Sequence, residues 1–572
     1  MTVVAPAATP ARSLPTRASR PAIVLLALVG LVAAYGLLSL LNDPRGTLGT
    51  DTGGKLATLV AMDRNGTVDP DVGYWAEDLD PRGDLHPLYY TDHVGDRWVN
   101  LTTLPMVVAA KPLYALGGPR AVLLLPMLGA AFAALAARAL ARRVGGGDGW
   151  WAFWTVGLAS PLAIYALDFW EHAPGVALVL WGGVFLYDVV DRRAGWRGAL
   201  VSGACFGAAA TMRTEALVFA AVAAAVAGVL LLRRAWRDRS PAPGVLVALG
   251  AAWSAGVVAL VVSNQVLERA LVGGGIRASR AAGTASAAGA GADLRAKEAL
   301  TTAVGLNQFV PSIDWVVGGA MVALVMYASW RLTASDRSGR LLGGAAFVAA
   351  ALLYWLKLSD GLGFVPGVLS ASPLAAAGLA LGWSARRWRP VGVAAGAAVP
   401  IVWYFQYSGG ANPQWGARYL LVTGTLLVVG AAVVLAATPG WARWAIVGLA
   451  AVVTLSGVAW LSQRSNAVAD AMETLRVGPD TVLVSREAHL LREGGAFLTP
   501  DQRWLTAEDD RELDRAVAIA SAVDARHLEV ISVVGRPAPR RLGGFTRVSR
   551  RTMQFLPGLD VTVARYDPSE PG

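Results

Sequence analysis

The stretch GANPQWGARYLLVTGTLLVVGAAVVLAA, residues 410–437, decides what kind of protein this is. From Leu420 to Ala437 it is apolar apart from two threonines and carries no charge. As a helix rising about 1.5 Å per residue, such a run nearly crosses a hydrocarbon core about 30 Å thick. Arg418 stands just before it. A charge near mid-span costs roughly 2.5–3.5 kcal/mol on insertion scales, and less near the interface. The side that Arg418 faces follows only from counting spans along the whole chain.

Of the 572 residues, 55% are hydrophobic and 16% charged. An ordinary soluble chain carries roughly 25% charged residues. Mean hydropathy is +0.48. Apolar runs fall near 21–41, 119–141, 149–167, 171–190, 197–212, 215–232, 243–266, 312–330, 341–356, 364–383, 390–407, 417–437 and 441–461. The chain therefore reads as a polytopic α-helical membrane protein with about thirteen spans. A net charge of +10 invites a nucleic-acid reading, but most arginines lie in short clusters between apolar runs, where they set topology. The single cysteine, Cys205, excludes an internal disulfide and a Cys-based metal site. Residues 1–20 read as a disordered cytoplasmic tail, and the run 21–41 is too long for a signal-peptide core.

With the amino terminus inside, Arg138/Arg142/Arg143, Arg192/Arg193/Arg197, Arg233/Arg234/Arg237/Arg239, Arg331/Arg337/Arg340 and Arg386/Arg387/Arg389 all fall inside too. The membrane domain is expected over 21–461, in the plasma membrane. Its outer loop 42–118 is rich in Asp, Tyr and Trp and ends in NLTTLPMVVAAKPLYALGG, which reads as an interfacial helix broken by prolines. A second outer loop, 269–310, contains the mobile-looking GTASAAGAGAD. Residues 462–572 form a small extracytoplasmic α/β domain, with strands at TVLVS and HLEVISVV and an amphipathic helix at DDRELDRAVAIASAVDA.

This count brings Asp51, Asp92, His93, Asp168, Glu171, His172, Arg213, Glu215, Lys357, Asp360 and Arg418 to the outer face. Topology does not explain Arg418, which opposes the basic clusters. It is either half of a structural ion pair or a phosphate anchor, for which the planar guanidinium is well shaped. Asp51, in GTDTGGKLATL, is either a helix N-cap or a general base. Asp92 and His93, with His86 and Asp84 near in sequence, offer a weak site for a divalent metal. Helical spacing puts Asp168, Glu171 and His172 on one face, as a wet helix start or a cavity wall. Arg213 and Glu215 do not face each other on a continuous helix, so different partners are expected for them. Trp415 and Tyr419 are expected at interfacial depth.

An Asp soon after the first span, R-x-E at an outer turn and W-G-x-R-Y-L opening a late span resemble the GT-C superfamily of membrane glycosyltransferases. These include protein mannosyltransferases, aminoarabinose transferases and actinobacterial arabinosyl- and mannosyltransferases. The resemblance covers roughly 21–461 and implies a polyprenyl-phosphate sugar donor and an envelope glycan, lipid or protein acceptor. It also implies Asp51 as base, Arg213 and Arg418 as contacts for the donor phosphate, and inversion at the anomeric carbon. Where mannosyltransferase-like members carry Asp-Glu, this chain has Asp51–Thr52, and in place of H-P-P it has only His86–Pro87. The residues suit that chemistry in their own right, because transfer needs a base for the acceptor hydroxyl and cations for the departing phosphate. The competing classes are a transporter or flippase, which places ionisable groups near mid-span, and a scaffold acting through 462–572.

Overall fold

A computed structural model describes the chain apart from residues 1–20, 48, 274–291, 308–312, 335, 360–363, 406–413, 439, 537 and 570–572. The predicted tail, most of GTASAAGAGAD, Asp360 and residues 410–413 of the opening stretch lie outside the described residues.

The helices in chain order are α1 (Pro21–Ser39), α2 (Thr50–Arg64), α3 (Leu104–Val122), α4 (Leu124–Gly145), α5 (Trp150–Leu158), α6 (Leu162–Tyr165), α7 (His172–Val190), α8 (Trp196–Met212), α9 (Ala216–Asp238) and α10 (Pro243–Val272). They continue with α11 (Ala292–Val304), α12 (Ile313–Leu332), α13 (Arg337–Ser359), α14 (Pro373–Leu381), α15 (Arg389–Phe405), α16 (Leu421–Leu435), α17 (Gly440–Thr474), α18 (Ala488–Glu493) and α19 (Asp510–Ala522). Among the described residues, nine helices are long and apolar enough to cross a membrane. The remaining apolar runs carry shorter helices. The run 149–167 is split into α5 and α6 at Ser160–Pro161, since proline lacks the amide that continuation needs. In 364–383 the chain is irregular until Ser372, whose hydroxyl caps α14 by accepting from the Ala375 amide.

Small residues set the closest helix contacts. In α8, Gly203 and Gly207 stand four apart and face α10. A Cβ on Gly203 would lie 1.9 Å from the Trp253 carbonyl oxygen, and one on Gly256 would lie 2.3 Å from that of Leu200. Without Cβ atoms the two backbones touch, which is how helices associate where lipid offers no hydrophobic drive.

The helix that carries the last apolar run does not stop where the run does, at 461. Helix α17 runs unbroken for 35 residues to Thr474 and carries the chain directly into the soluble domain. That domain is a mixed six-stranded sheet ordered β4-β3-β5-β8-β7-β6, where β3 is Thr481–Ser485, β4 Arg503–Thr506, β5 His527–Val533, β6 Arg541–Leu542, β7 Phe545–Leu556 and β8 Leu559–Pro568. Strands β4, β3 and β5 are parallel, and the rest antiparallel. Helix α19 has Asp509 as its N-cap, whose carboxylate accepts from the Glu512 amide, while the Glu512 carboxylate accepts from Glu508 N.

The first loop is not a separate appendage. Its hairpin, β1 (Thr91–Val94) with β2 (Arg97–Asn100), and the turns before it share one apolar core with the sheet: Val72, Tyr74, Leu85 and Trp98 pack with Val482, Leu505, Leu513 and Leu528. Trp75 Nε1 donates to the Trp504 carbonyl at 2.9 Å, and the Thr506 amide to that of Leu85 at 2.9 Å. Loop and sheet form one layer over the end of the helix bundle, and α2 lies beneath it.

Candidate functional site

Helix α2 begins at Thr50 with Gly49 as its N-cap, in extended backbone and with no side-chain cap. Asp51 is thus one residue inside the helix, which overturns its reading as an N-cap. Its carboxylate points between two guanidiniums. Arg418 Nη1 lies 3.2 Å from one oxygen and Arg492 Nη1 3.4 Å from the other. The Asp51 side chain is 41% exposed, Arg418 12% and Arg492 1%. Burial raises the Asp51 carboxyl, but Arg418, Arg492 and Lys55 outweigh it and hold the group down at about 2. Asp51 is ionised at any physiological pH.

Two local features deliver these arginines. Arg418 follows Gly416 and Ala417, both with positive φ (87° and 56°), so the chain doubles back before a short 3₁₀ turn at Arg418–Leu420 opens α16. Its guanidinium lies over Tyr419 at 4.9 Å and Trp170 at 5.7 Å. Arg492 comes from α18 of the soluble domain, which lies directly on α2 at Gly53 and Gly54. A Cβ on Gly53 would sit 1.8 Å from the Arg492 carbonyl oxygen, and one on Gly54 2.3 Å from Asn100 Oδ1. Through that gap Arg492 also donates to Asn100 Oδ1 and the Leu101 carbonyl, both at 3.2 Å, and lies over Tyr90 at 5.3 Å.

A second tier of charge lies alongside. Lys55, 1% exposed, pairs with Glu171. Glu171 also takes Arg213 at 3.0 Å, and Arg213 Nε reaches Glu215 at 2.8 Å. Arg213 and Glu215 therefore do meet, contrary to the helical-spacing expectation, because Arg213 is in extended backbone at the end of α8 and breaks the helix between them. Likewise Asp168, Glu171 and His172 do not share a helical face: α7 begins at His172, and the other two lie on the preceding turn. That turn faces α2, where Thr52 Oγ1 donates to Asp168 at 2.9 Å. His172 is buried against Trp170 (ring centroids 4.5 Å apart), and neither of its ring nitrogens has a hydrogen-bond partner among the described residues. A small cleft lined by His172, Arg213, Glu215, Arg418 and Tyr419 opens beside the pairs.

Other candidates are elsewhere. Asp92 and His93 are on the hairpin; His93 stacks on Trp98 at 4.3 Å and approaches Glu77 at 3.4 Å. His86 is tied to backbone, its Nδ1 accepting from the Leu88 amide, and burial pushes it down to about 4. Asp84 pairs with Arg515 at 2.8 Å. Among the described residues no group of three or more His, Cys, Asp or Glu is placed to hold a metal. Lys357 lies 3.9 Å from Asp314. Trp415 is not at an interface; it is 1% exposed and wedged between Phe364 and Trp460. Sequence reasoning missed Lys55 and Arg492. Lys55, four residues after Asp51 on a helix, was open to discovery by spacing; Arg492 left no such trace.

This chain is similar to ArnT. The crystal structure of ArnT from Cupriavidus metallidurans bound to undecaprenyl phosphate matches at 15% identity and a TM-score of 0.45, covering 96% of this chain and 98% of that one. The apo state of ArnT from Cupriavidus metallidurans matches at 13% identity and a TM-score of 0.37, with the same coverage. No protein-family model and no curated protein sequence matches. At these values no residue role passes from one protein to the other.

Proposed function

We propose that this protein is an integral membrane glycosyltransferase that moves a sugar from a polyprenyl-phosphate donor to an envelope glycan, lipid or protein acceptor. The reaction takes place on the extracytoplasmic face. One observation carries the reading: a carboxylate, Asp51, is held between Arg418 of the helix bundle and Arg492 of the soluble layer, beside a small cleft that Arg418 lines together with Arg213 and Glu215. Ionisable groups gathered at one end of the bundle favour transfer over transport, which would need them near mid-span.

In this reading the donor phosphate enters the cleft and takes Arg418, with Arg213 as the second cation. Asp51 then loses one of the charges that depress its proton affinity, so donor binding itself readies the base. The acceptor hydroxyl gives its proton to Asp51, and its oxygen bonds to the anomeric carbon. The bond from that carbon to the phosphate oxygen breaks, and polyprenyl phosphate departs with the electron pair between the guanidiniums. Attack opposite the leaving group inverts the centre.

Asp51→Asn keeps the shape and removes the charge. Loss of a positioned base lowers transfer by about 10²–10⁴-fold. Transfer from a polyprenyl-phosphate donor at the wild-type rate, in a folded Asp51→Asn protein, overturns the assignment.

A further inference from the structure

A cavity of about 910 Å³ runs along the same helices, from Val179, Phe219 and Leu426, about one turn from the cleft, to Arg237 at the far end of α9. Its walls are apolar and come from α4, α7, α8, α9, α15 and α16, with Leu180, Phe206, Phe219 and Leu426 among them. Its mouth is basic, formed by Arg233, Arg234 and Arg237 of α9 and Arg387 just before α15. Along α9, these arginines stand about 30 Å from Ala216, which borders the Asp51–Arg418 cleft, at ~1.5 Å per residue.

Of the four charges at the mouth, only that of Arg237 is met by an acid among the described residues. Arg237 pairs with the neighbouring Asp238 at 2.7 Å, and Arg234 donates to the Val190 carbonyl. Arg233 and Arg387 make no hydrogen bond or ion pair among the described residues, and both are exposed. The one acid lining the cavity, Asp191, pairs with Arg193 at 2.8 Å. Trp236 stands beside the arginines, 84% exposed, as an indole does at a membrane–water boundary. These arginines also belong to the clusters that set topology. Arginines ringing an apolar cavity between spans match a lipid's anionic head and hydrocarbon body together.

We propose that this cavity binds an anionic glycerophospholipid of the leaflet facing the basic clusters, its phosphate at Arg233 and Arg387 and an acyl chain between α7, α9 and α15. A polyprenyl chain descending from the cleft fits the mouth poorly, since it would press hydrocarbon against the guanidiniums. The inference does not rest on the transferase reading.

The test needs no transfer assay. Wild-type protein is reconstituted in vesicles of mixed phosphatidylglycerol and phosphatidylcholine, extracted mildly, and its retained lipid counted by native mass spectrometry. Wild type is expected to retain phosphatidylglycerol over phosphatidylcholine. Arg233→Gln with Arg387→Gln is expected to weaken that preference about thirtyfold, roughly fivefold per arginine near a lipid surface. Gly183 lines the cavity, and a Cβ there meets nothing within 4 Å, so Gly183→Leu fills the space with every charge intact. It is expected to lower retention of both lipids. Equal retention of the two lipids by wild type, or retention unchanged in both variants, overturns the proposal. So does displacement by inorganic phosphate, or recovery of polyprenyl phosphate as the bound lipid.

Discussion

Replacing Arg492 by Met tests whether the soluble domain is part of the site or a lid above it. Arg492 donates to Asn100 Oδ1 and to the Leu101 carbonyl, and Asn100 is buried. Arg492→Met leaves the buried Asn100 Oδ1 without that donor, at about 1–3 kcal/mol. The lost pair with Asp51 adds less, about 1 kcal/mol at most, because the Asp51 carboxylate is 41% exposed and water screens it. The expected destabilisation is therefore about 1–4 kcal/mol, read as a lowered thermal midpoint of the purified protein.

The same substitution has a kinetic signature that a lid would not produce. In wild type, Asp51 titrates near 2, so kcat/KM, which reports the free enzyme, shows no acid limb from Asp51 between pH 4 and 7. Arg492 is one of the charges that lower this group, so its removal raises the Asp51 proton affinity and shifts the acid limb upward. The stability linkage has a matching sign. The ionised, depressed carboxyl stabilises the fold above its ordinary value of 3.8, and that contribution disappears as pH falls towards 2. An unmoved acid limb together with a loss below about 1 kcal/mol would refute the reasoning.

Arg418→Lys keeps the charge but loses the planar fork, so donor binding weakens, and Arg418→Ala weakens it further; a large drop in thermal stability with donor affinity intact identifies Arg418 as purely structural. Gly53→Ala puts a methyl 1.8 Å from the Arg492 carbonyl oxygen and should cost about 1–3 kcal/mol or more. Gly30→Ala in α1, with open space around it, serves as the neutral control for that measurement. Cysteines introduced at exposed positions in 480–560 should label from outside intact cells; protection of the whole region reverses the orientation proposed here.

What could be read from the sequence, and what could not, divides along a physical line. Span-sized runs are legible because a bilayer demands them wherever the chain enters it, and the arginine clusters count them off. Arg418 stands out by the same logic, as a cation on the side opposite the basic clusters. The soluble layer answers to no such rule. Arg492 reaches Asp51 across 441 residues of sequence, and α18 has six residues, too few for a periodicity to show which side faces inward. Its docking left one mark, on the other partner. Two successive glycines inside α2 cost helix stability, at roughly 1 kcal/mol each relative to alanine. A helix that keeps them does so where another backbone must come within touching distance. Gly53 and Gly54, two and three residues after the candidate base, are where α18 comes to rest. In a chain whose soluble layer escapes span counting, a glycine pair beside a buried charge is the local sign that a distant segment completes the site.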